Sequence, residues 1–145
     1  MNLTEHFTLE ELVASQIAAR RRIDNRPTPA IIDNLRRVAA VLEQVRALVD
    51  RPITISSGYR SPVLNAAVGG ARDSVHMQGL AADITAAGVA PKDLAKAIIK
   101  AGIEFDQLIY EGTWVHIGLA AGKPRNQVLT ATFSQAGVVY SAGIR

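Results

Sequence analysis

The hydrophobic pattern changes character near residues 50–52, from helical spacing to mostly short strands, and that change limits the fold more than any other feature. Before it, Ile31, Leu35, Val38, Leu42, Val45 and Val49 recur at helical spacing, so one face of a long helix must be buried. Thr28 stands where a cap belongs, Pro29 suits the first helical position, and Asp50 to Pro52 ends the pattern. After it, Ile53–Ser56, Leu80–Thr85, Gln107–Glu111 and Trp114–Leu119 read as short strands, and Gln127–Phe133 with Val138–Tyr140 as a last hairpin. Two helices interrupt them. One is opened by Ser61-Pro62 and closed by Gly69-Gly70, and the other runs from Pro91 to Ala101 with Gly102 just beyond. Helices followed mostly by strands predict an α+β fold with a small, mainly antiparallel sheet and helices packed on one face.

The first residues are also helical. Thr8 and Glu11 form a T-x-x-E capping box with Phe7 and Leu12 placed as a hydrophobic staple, which predicts a helix from about Leu9 to Arg20. Ile23 to Pro27 reads as a connector, because Pro27 disfavours helix just before it. The 145 residues suit one domain with a single sizeable core. It divides into a helical part over 1–50, a sheet over 51–119 and closing strands over 120–145.

Composition removes several classes of function. Hydrophobic residues make up 48% and charged residues 20%, which excludes disorder for most of the chain. No apolar run approaches the ~18 residues of a membrane span, so no membrane insertion is expected. The opening MNLTEHFTLEEL lacks the basic-then-apolar layout of a secretory signal, and synthesis in the cytoplasm is expected. The absence of cysteine excludes disulfides, thiol nucleophiles and cysteine metal sites. A transition metal would have to use carboxylates and His6, His76 or His116, of which His6 reads as a helix-entry residue. The formal charge of +3 is a mild excess, compatible with an anionic polymer. Arg20, Arg21 and Arg22 read as a solvated helix end without interleaved aromatics, so no nucleic-acid partner is expected.

Strand parity then sorts the polar residues. Leu80, Ala82 and Ile84 share an apolar face, so Asp83 points away from the core. Val115 and Ile117 likewise leave Trp114, His116 and Gly118 on the opposite face. Gly112-Thr113 suits a two-residue type II′ hairpin, which pairs Glu111 with Trp114 and Ile109 with His116. Glu111 then shares the face of His116 as its diagonal neighbour, whereas Asp106 falls on the other face. His76 and Asp83 are separated by an odd interval, but Gly79 lets the chain turn so that His76 can swing over the face of Asp83. Two histidines and a carboxylate with an open position would make a catalytic zinc site. Spacing alone leaves the bland readings open: a structural or surface histidine, and a solvated aspartate.

Ser74, His76, Gly79, Asp83, Trp114 and His116, preceded by SGYRSPVLNAAVGG, together resemble the D-alanyl-D-alanine carboxypeptidase-like zinc peptidases of the lysostaphin, carboxypeptidase and sonic-hedgehog superfamily. EHFTLEEL and RPTPAIIDNLRRVAAVLEQVR look like its phage and prophage endolysin members, and the resemblance runs from about Leu3 to Leu119. It implies one zinc ion on His76, Asp83 and His116, on the face of the sheet away from the helices. It further implies Glu111 as general base and later proton donor to the leaving amine, and Arg60 as the partner of a substrate carboxylate. Ser74 and Gln78 would hydrogen-bond substrate, or else shape the loop, while Tyr59 and Trp114 read as packing residues. Some relatives place the catalytic acid three residues before the last histidine, where this chain has Thr113. The five-residue offset to Glu111 matches other members and the hairpin register, and Asp106 is the reserve candidate should that register differ.

The implied reaction is hydrolysis of a peptide bond in peptidoglycan stem peptides or cross-links. The protein would act as a monomer at the cell wall or periplasm after release or delivery. Two other classes stand beside this one: a zinc-containing binding module of the same fold without catalysis, against which Glu111 argues, and a basic nucleic-acid-binding protein.

Overall fold

The computed structural model describes all 145 residues. Its elements are α1 (Leu9–Val13), α2 (Gln16–Arg21), α3 (Pro29–Val49), β1 (Ile53–Ser57), α4 (Pro62–Ala67), a 3₁₀ turn (Val75–Gln78), β2 (Ala81–Ala86), α5 (Pro91–Lys100), β3 (Gln107–Tyr110), β4 (Val115–Gly118), β5 (Gln127–Ser134) and β6 (Gly137–Ala142). The α+β expectation holds. Six strands form one sheet in the order β1-β2-β4-β3-β5-β6, and every neighbouring pair is antiparallel except β3 with β5.

The apolar stripe of α3 is buried as its spacing demands: Leu35, Val38, Ala39, Leu42 and Val45 are all in the core, and Ile31 and Val49 are half-buried at its margin. It packs on the sheet face made by Ala82, Ile84, Leu108, Val115 and Ile117, together with Leu94, Ala95 and Ile98 of α5. Thr28 accepts a hydrogen bond from the Ile31 amide, and Asp50 ends the helix in the left-handed conformation at φ 51°. Phe7 and Leu12 both lie in this core, and the Thr8–Glu11 capping box is closed in both directions.

Two local expectations are corrected. The helix foreseen from Leu9 to Arg20 is two helices, because Ala14 is extended and Ser15 caps a new start by accepting from the Ala18 amide. The carbonyls freed at the break are used across the chain: Leu12 accepts from the Tyr59 amide at 2.7 Å and Val13 from the Asn25 side chain at 2.8 Å. The second correction is at the tip of the β3–β4 hairpin. Gly112 takes the positive φ expected (84°), but the tip closes by a bond from the Thr113 amide to the Glu111 carbonyl, a tighter turn than the two-residue one. The register is unaffected, since Ile109 still faces His116 and the Glu111 amide donates to the Trp114 carbonyl at 3.0 Å.

Candidate metal centre and active site

The sheet face opposite α3 and α5 carries a polar cluster. Asp83 of β2 pairs directly with His116 of β4, so both side chains rise from the same face. His76 arrives from the 3₁₀ turn, which ends at Gly79 with φ 70° and reverses the chain over the sheet. A side chain at Gly79 would be strained in that conformation and would also meet α3, since a Cβ would lie 2.8 Å from Ile31 Cγ2 and 3.0 Å from its carbonyl. Glycine is therefore required both for the turn and for the close approach.

Within the cluster, Asp83 Oδ1 lies 2.9 Å from His116 Nδ1 and 3.4 Å from His76 Nε2. One ligand atom from each residue falls within 4.8 Å of the others. Two atoms bound about 2.05 Å from a tetrahedral centre stand ~3.3 Å apart, so these separations are of the size a bound ion requires. The far nitrogen of His76, Nδ1, sits 2.7 Å from the Gly58 carbonyl. Donating there fixes the tautomer and leaves Nε2 with its lone pair toward the cluster, the usual support of a metal-binding imidazole. Two imidazoles and one carboxylate form a donor set that suits a borderline ion such as zinc. Burial alone would raise the Asp83 carboxyl, but hydrogen bonds from His116 and His76 and their charges hold it far below the usual range, so it is an anion.

Glu111 and Arg60 flank the cluster. Glu111 follows β3, where the hairpin register brings it beside Trp114, and its Oε2 accepts from Trp114 Nε1 at 3.1 Å. Its carboxyl is pushed above the ordinary value by burial and by the negative charge of Asp83, against the opposing pull of His116, Trp114 and Arg60. Arg60 follows β1. Its amide donates to the His76 carbonyl at 3.1 Å and its Nη2 to Ser74 Oγ at 3.3 Å, while the buried Nε has no partner. Burial lowers this guanidinium's pKa, and Asp83 and Glu111 counter it. The two anions and the cation thus face one another across the site. A cleft of about 780 Å³ opens beside Arg60 and Asp83, walled by Ile17 of α2, Ile55 of β1, Leu64 of α4 and Val68 just past that helix.

The structure therefore brings together His76, Asp83, His116, Glu111 and Arg60. Ser74 is adjacent: its hydroxyl accepts from both Arg60 and the His76 amide, so it shapes the loop and holds Arg60. Gln78 is exposed, and its hydrogen bond is through the main chain, whose carbonyl accepts from Asn34 at 2.8 Å. Asp106 is engaged elsewhere, in a two-pronged pair with Arg125 at 3.0 and 2.8 Å. Tyr59 is buried as a packing residue, and His6 ties the N-terminal segment to Glu43 of α3 at 2.7 Å.

Two supports escaped the reading of the sequence. The Gly58 carbonyl is a main-chain atom and leaves no residue signature. Asn25 bridges three segments, donating to the Val13 and Tyr59 carbonyls and accepting from the Ser61 amide at 2.7 Å. An asparagine within a connector just before proline was the only available hint.

Two histidines and one aspartate that could hold a metal ion, with a raised carboxyl and an arginine beside them, form a donor set of the kind a metallopeptidase uses. The chain matches the Peptidase M15 family over residues 5–118 and belongs to that family. It is also similar to the zinc D-Ala-D-Ala carboxypeptidase of Streptomyces albus G, with 39% identity over 82 residues, a stretch covering 54% of this chain and 31% of that protein. The chain thus spans about a third of that relative's length.

Proposed function

We propose that this chain is a zinc-dependent peptidase acting on peptidoglycan stem peptides or their cross-links, as a D-Ala-D-Ala carboxypeptidase or an endolysin-type endopeptidase. The observation that carries the reading is the convergence of His76, Asp83 and His116, with one ligand atom from each within 4.8 Å of the others, beside Glu111. A zinc ion held by these three would supply Lewis acidity toward a carbonyl and toward a water.

The remaining roles belong to the protein. Glu111, a carboxyl whose proton affinity is raised by burial and by the charge of Asp83, accepts the proton of the attacking water on its free oxygen and returns it to the leaving amine. The Trp114 indole occupies Oε2, so it orients the carboxylate and leaves Oε1 for proton transfer. Arg60 presents an unpartnered Nε–H and a Ser74-braced Nη2, and a substrate carboxylate satisfies the planar fork at the edge of the cleft.

The test is mass spectrometry of purified peptidoglycan after incubation with the protein, with and without a chelator. New peptide termini that vanish on chelation and return with zinc are expected, and their identity names the bond cut. Intact wall in the presence of bound zinc would refute the peptidase reading and favour a binding role.

A further inference from the structure

The family match ends at residue 118, yet the β5–β6 hairpin that follows carries four of the nine exposed large hydrophobic side chains, Phe133, Val138, Val139 and Tyr140. Its parity is fixed by pairing. Leu129 lies opposite Ile109, which lies opposite His116, so the odd residues of β5 rise from the face of the metal cluster. Phe133 pairs with Val138, and Ala131 with Tyr140, so all four share that face. Phe133, Val138 and Tyr140 are 52%, 44% and 54% exposed.

This wall is continuous with the site. The Phe133 ring sits 6.1 Å from that of Trp114, and the Trp114 indole donates to Glu111. The Tyr140 phenol is pushed up by partial burial and by the charge of Glu111, so it lies within range of that carboxylate. The chain has seven aromatic residues, one Trp, three Tyr and three Phe, and three of them gather here while Phe7, Tyr59 and Phe105 serve the core. From Gln127 to Ile144 there is no charged residue. Arg60 and the deep cleft lie at the opposite end of the site, toward β1.

We propose that Trp114, Phe133, Val138 and Tyr140 form a subsite for the sugar rings of the glycan strand next to the peptide being cut. The inference rests on the peptidoglycan reading above and adds to it which part of the substrate lies where. A stem peptide carries carboxylates and amines, which an uncharged wall would have to desolvate without compensation. An N-acetylated pyranose ring is neutral and presents an apolar C–H face, which an exposed aromatic side chain covers, with the Tyr140 hydroxyl free to meet the ring's polar edge. The charged peptide then lies over the metal cluster toward Arg60.

Trp114 is the only tryptophan, so its fluorescence reports directly on this wall. The probe is a β-1,4-linked N-acetylglucosamine tetramer titrated into the full chain. A saturable change in emission is expected, with Kd at least tenfold higher in the Phe133→Ser/Tyr140→Ser double variant, whose melting curve confirms the fold. A second arm compares KM for a stem peptide with and without its disaccharide. The native chain should favour the sugar-bearing form, and the KM ratio should fall toward one in the variant.

No emission change at millimolar tetramer, equal binding by the variant, or an unaltered KM ratio would overturn the subsite. A dimer in sedimentation that the double variant dissolves would assign the wall to a second copy and also overturn it. Tetramer binding without cleavage of any peptidoglycan would support the subsite and count against the peptidase reading alone.

Discussion

Replacing Gly79 by alanine tests how the chain delivers His76 to the metal cluster, and the molecule contains its own control. Gly69 and Gly79 have nearly the same backbone angle, φ 71° and φ 70°. A Cβ at Gly69 would meet nothing within 4 Å, whereas one at Gly79 would press on Ile31 Cγ2 at 2.8 Å, the Ile31 carbonyl at 3.0 Å and Leu35 Cγ at 3.3 Å. Gly69→Ala therefore carries the left-handed backbone cost alone, about 1–2 kcal/mol. Gly79→Ala adds the overpacking of a helix backbone that cannot rotate away, another ~1–3 kcal/mol. For a chain of this length each kcal/mol moves Tm by roughly 2–4 °C. Gly69→Ala should thus lower Tm by about 2–8 °C and Gly79→Ala by about 4–20 °C. The two are compared by thermal unfolding of the metal-free protein under identical buffer. The relief of the clash also lifts the 3₁₀ turn from α3, so zinc affinity should fall in Gly79→Ala and not in Gly69→Ala. Equal losses of Tm in the two variants would refute the close-approach argument, and unaltered zinc affinity in a destabilised Gly79→Ala would refute the link to His76.

Other outcomes follow from the same geometry. Glu111→Gln removes the proton acceptor but keeps the side-chain shape, so activity should drop about 10²–10⁴-fold with zinc content by elemental analysis unaltered. Asn25→Ala takes away three hydrogen bonds around Tyr59 and Ser61, two of them to main-chain carbonyls, and should cost about 2–4 kcal/mol in urea unfolding while raising KM through a looser Arg60. Leu42→Ala, in the fully buried stripe of α3, should cost about 2–5 kcal/mol without altering zinc affinity. In the metal-free protein the folded Asp83 carboxyl lies below its unfolded value near ~3.9, so the folded state binds fewer protons there. Its contribution to stability is present above that pH and is lost progressively as pH falls from there toward the lower folded value, so Asp83→Asn should flatten urea midpoints measured between pH 5 and 2.5.

The parts of this molecule that were legible in the sequence are those governed by local parity. The stripe of α3, the inward Leu80–Ala82–Ile84 face and the outward Asp83 and His116 all follow from periods of 3.6 and 2, and the hairpin register put Glu111 beside Trp114 even though its tip is tighter than expected. The break at Ala14 was hidden because Ser15 reads equally well as a helical residue or a new cap, and tertiary bonds from Tyr59 and Asn25 decide between them. The Gly58 carbonyl behind His76 and the Asn25 bridge join residues far apart in sequence, so no local pattern encodes them. The parallel β3–β5 contact was equally invisible, and it carries the hairpin to the site-facing wall beside Glu111.

The ladder between β1 and β2 contains one irregularity: Ile55 faces Ile84, but Ser57 faces Asp83, so Ser56 is an extra residue on β1. The insertion is absorbed locally: Ser56 and Ser57 both stand against Asp83, and the strand bends and twists more sharply there. With it, Gly58 turns its carbonyl to His76, Tyr59 enters the core and Arg60 stands at the cleft. Deleting Ser56 would leave Ile55 opposite Ile84 and Ser57 opposite Asp83 in a regular ladder, so the following residues would keep their faces and the strand would lose its bend. The extra residue thus gives the end of β1 its direction rather than its parity, and a chain lacking it would aim the Gly58 carbonyl and the Arg60 guanidinium away from His76 and the cleft.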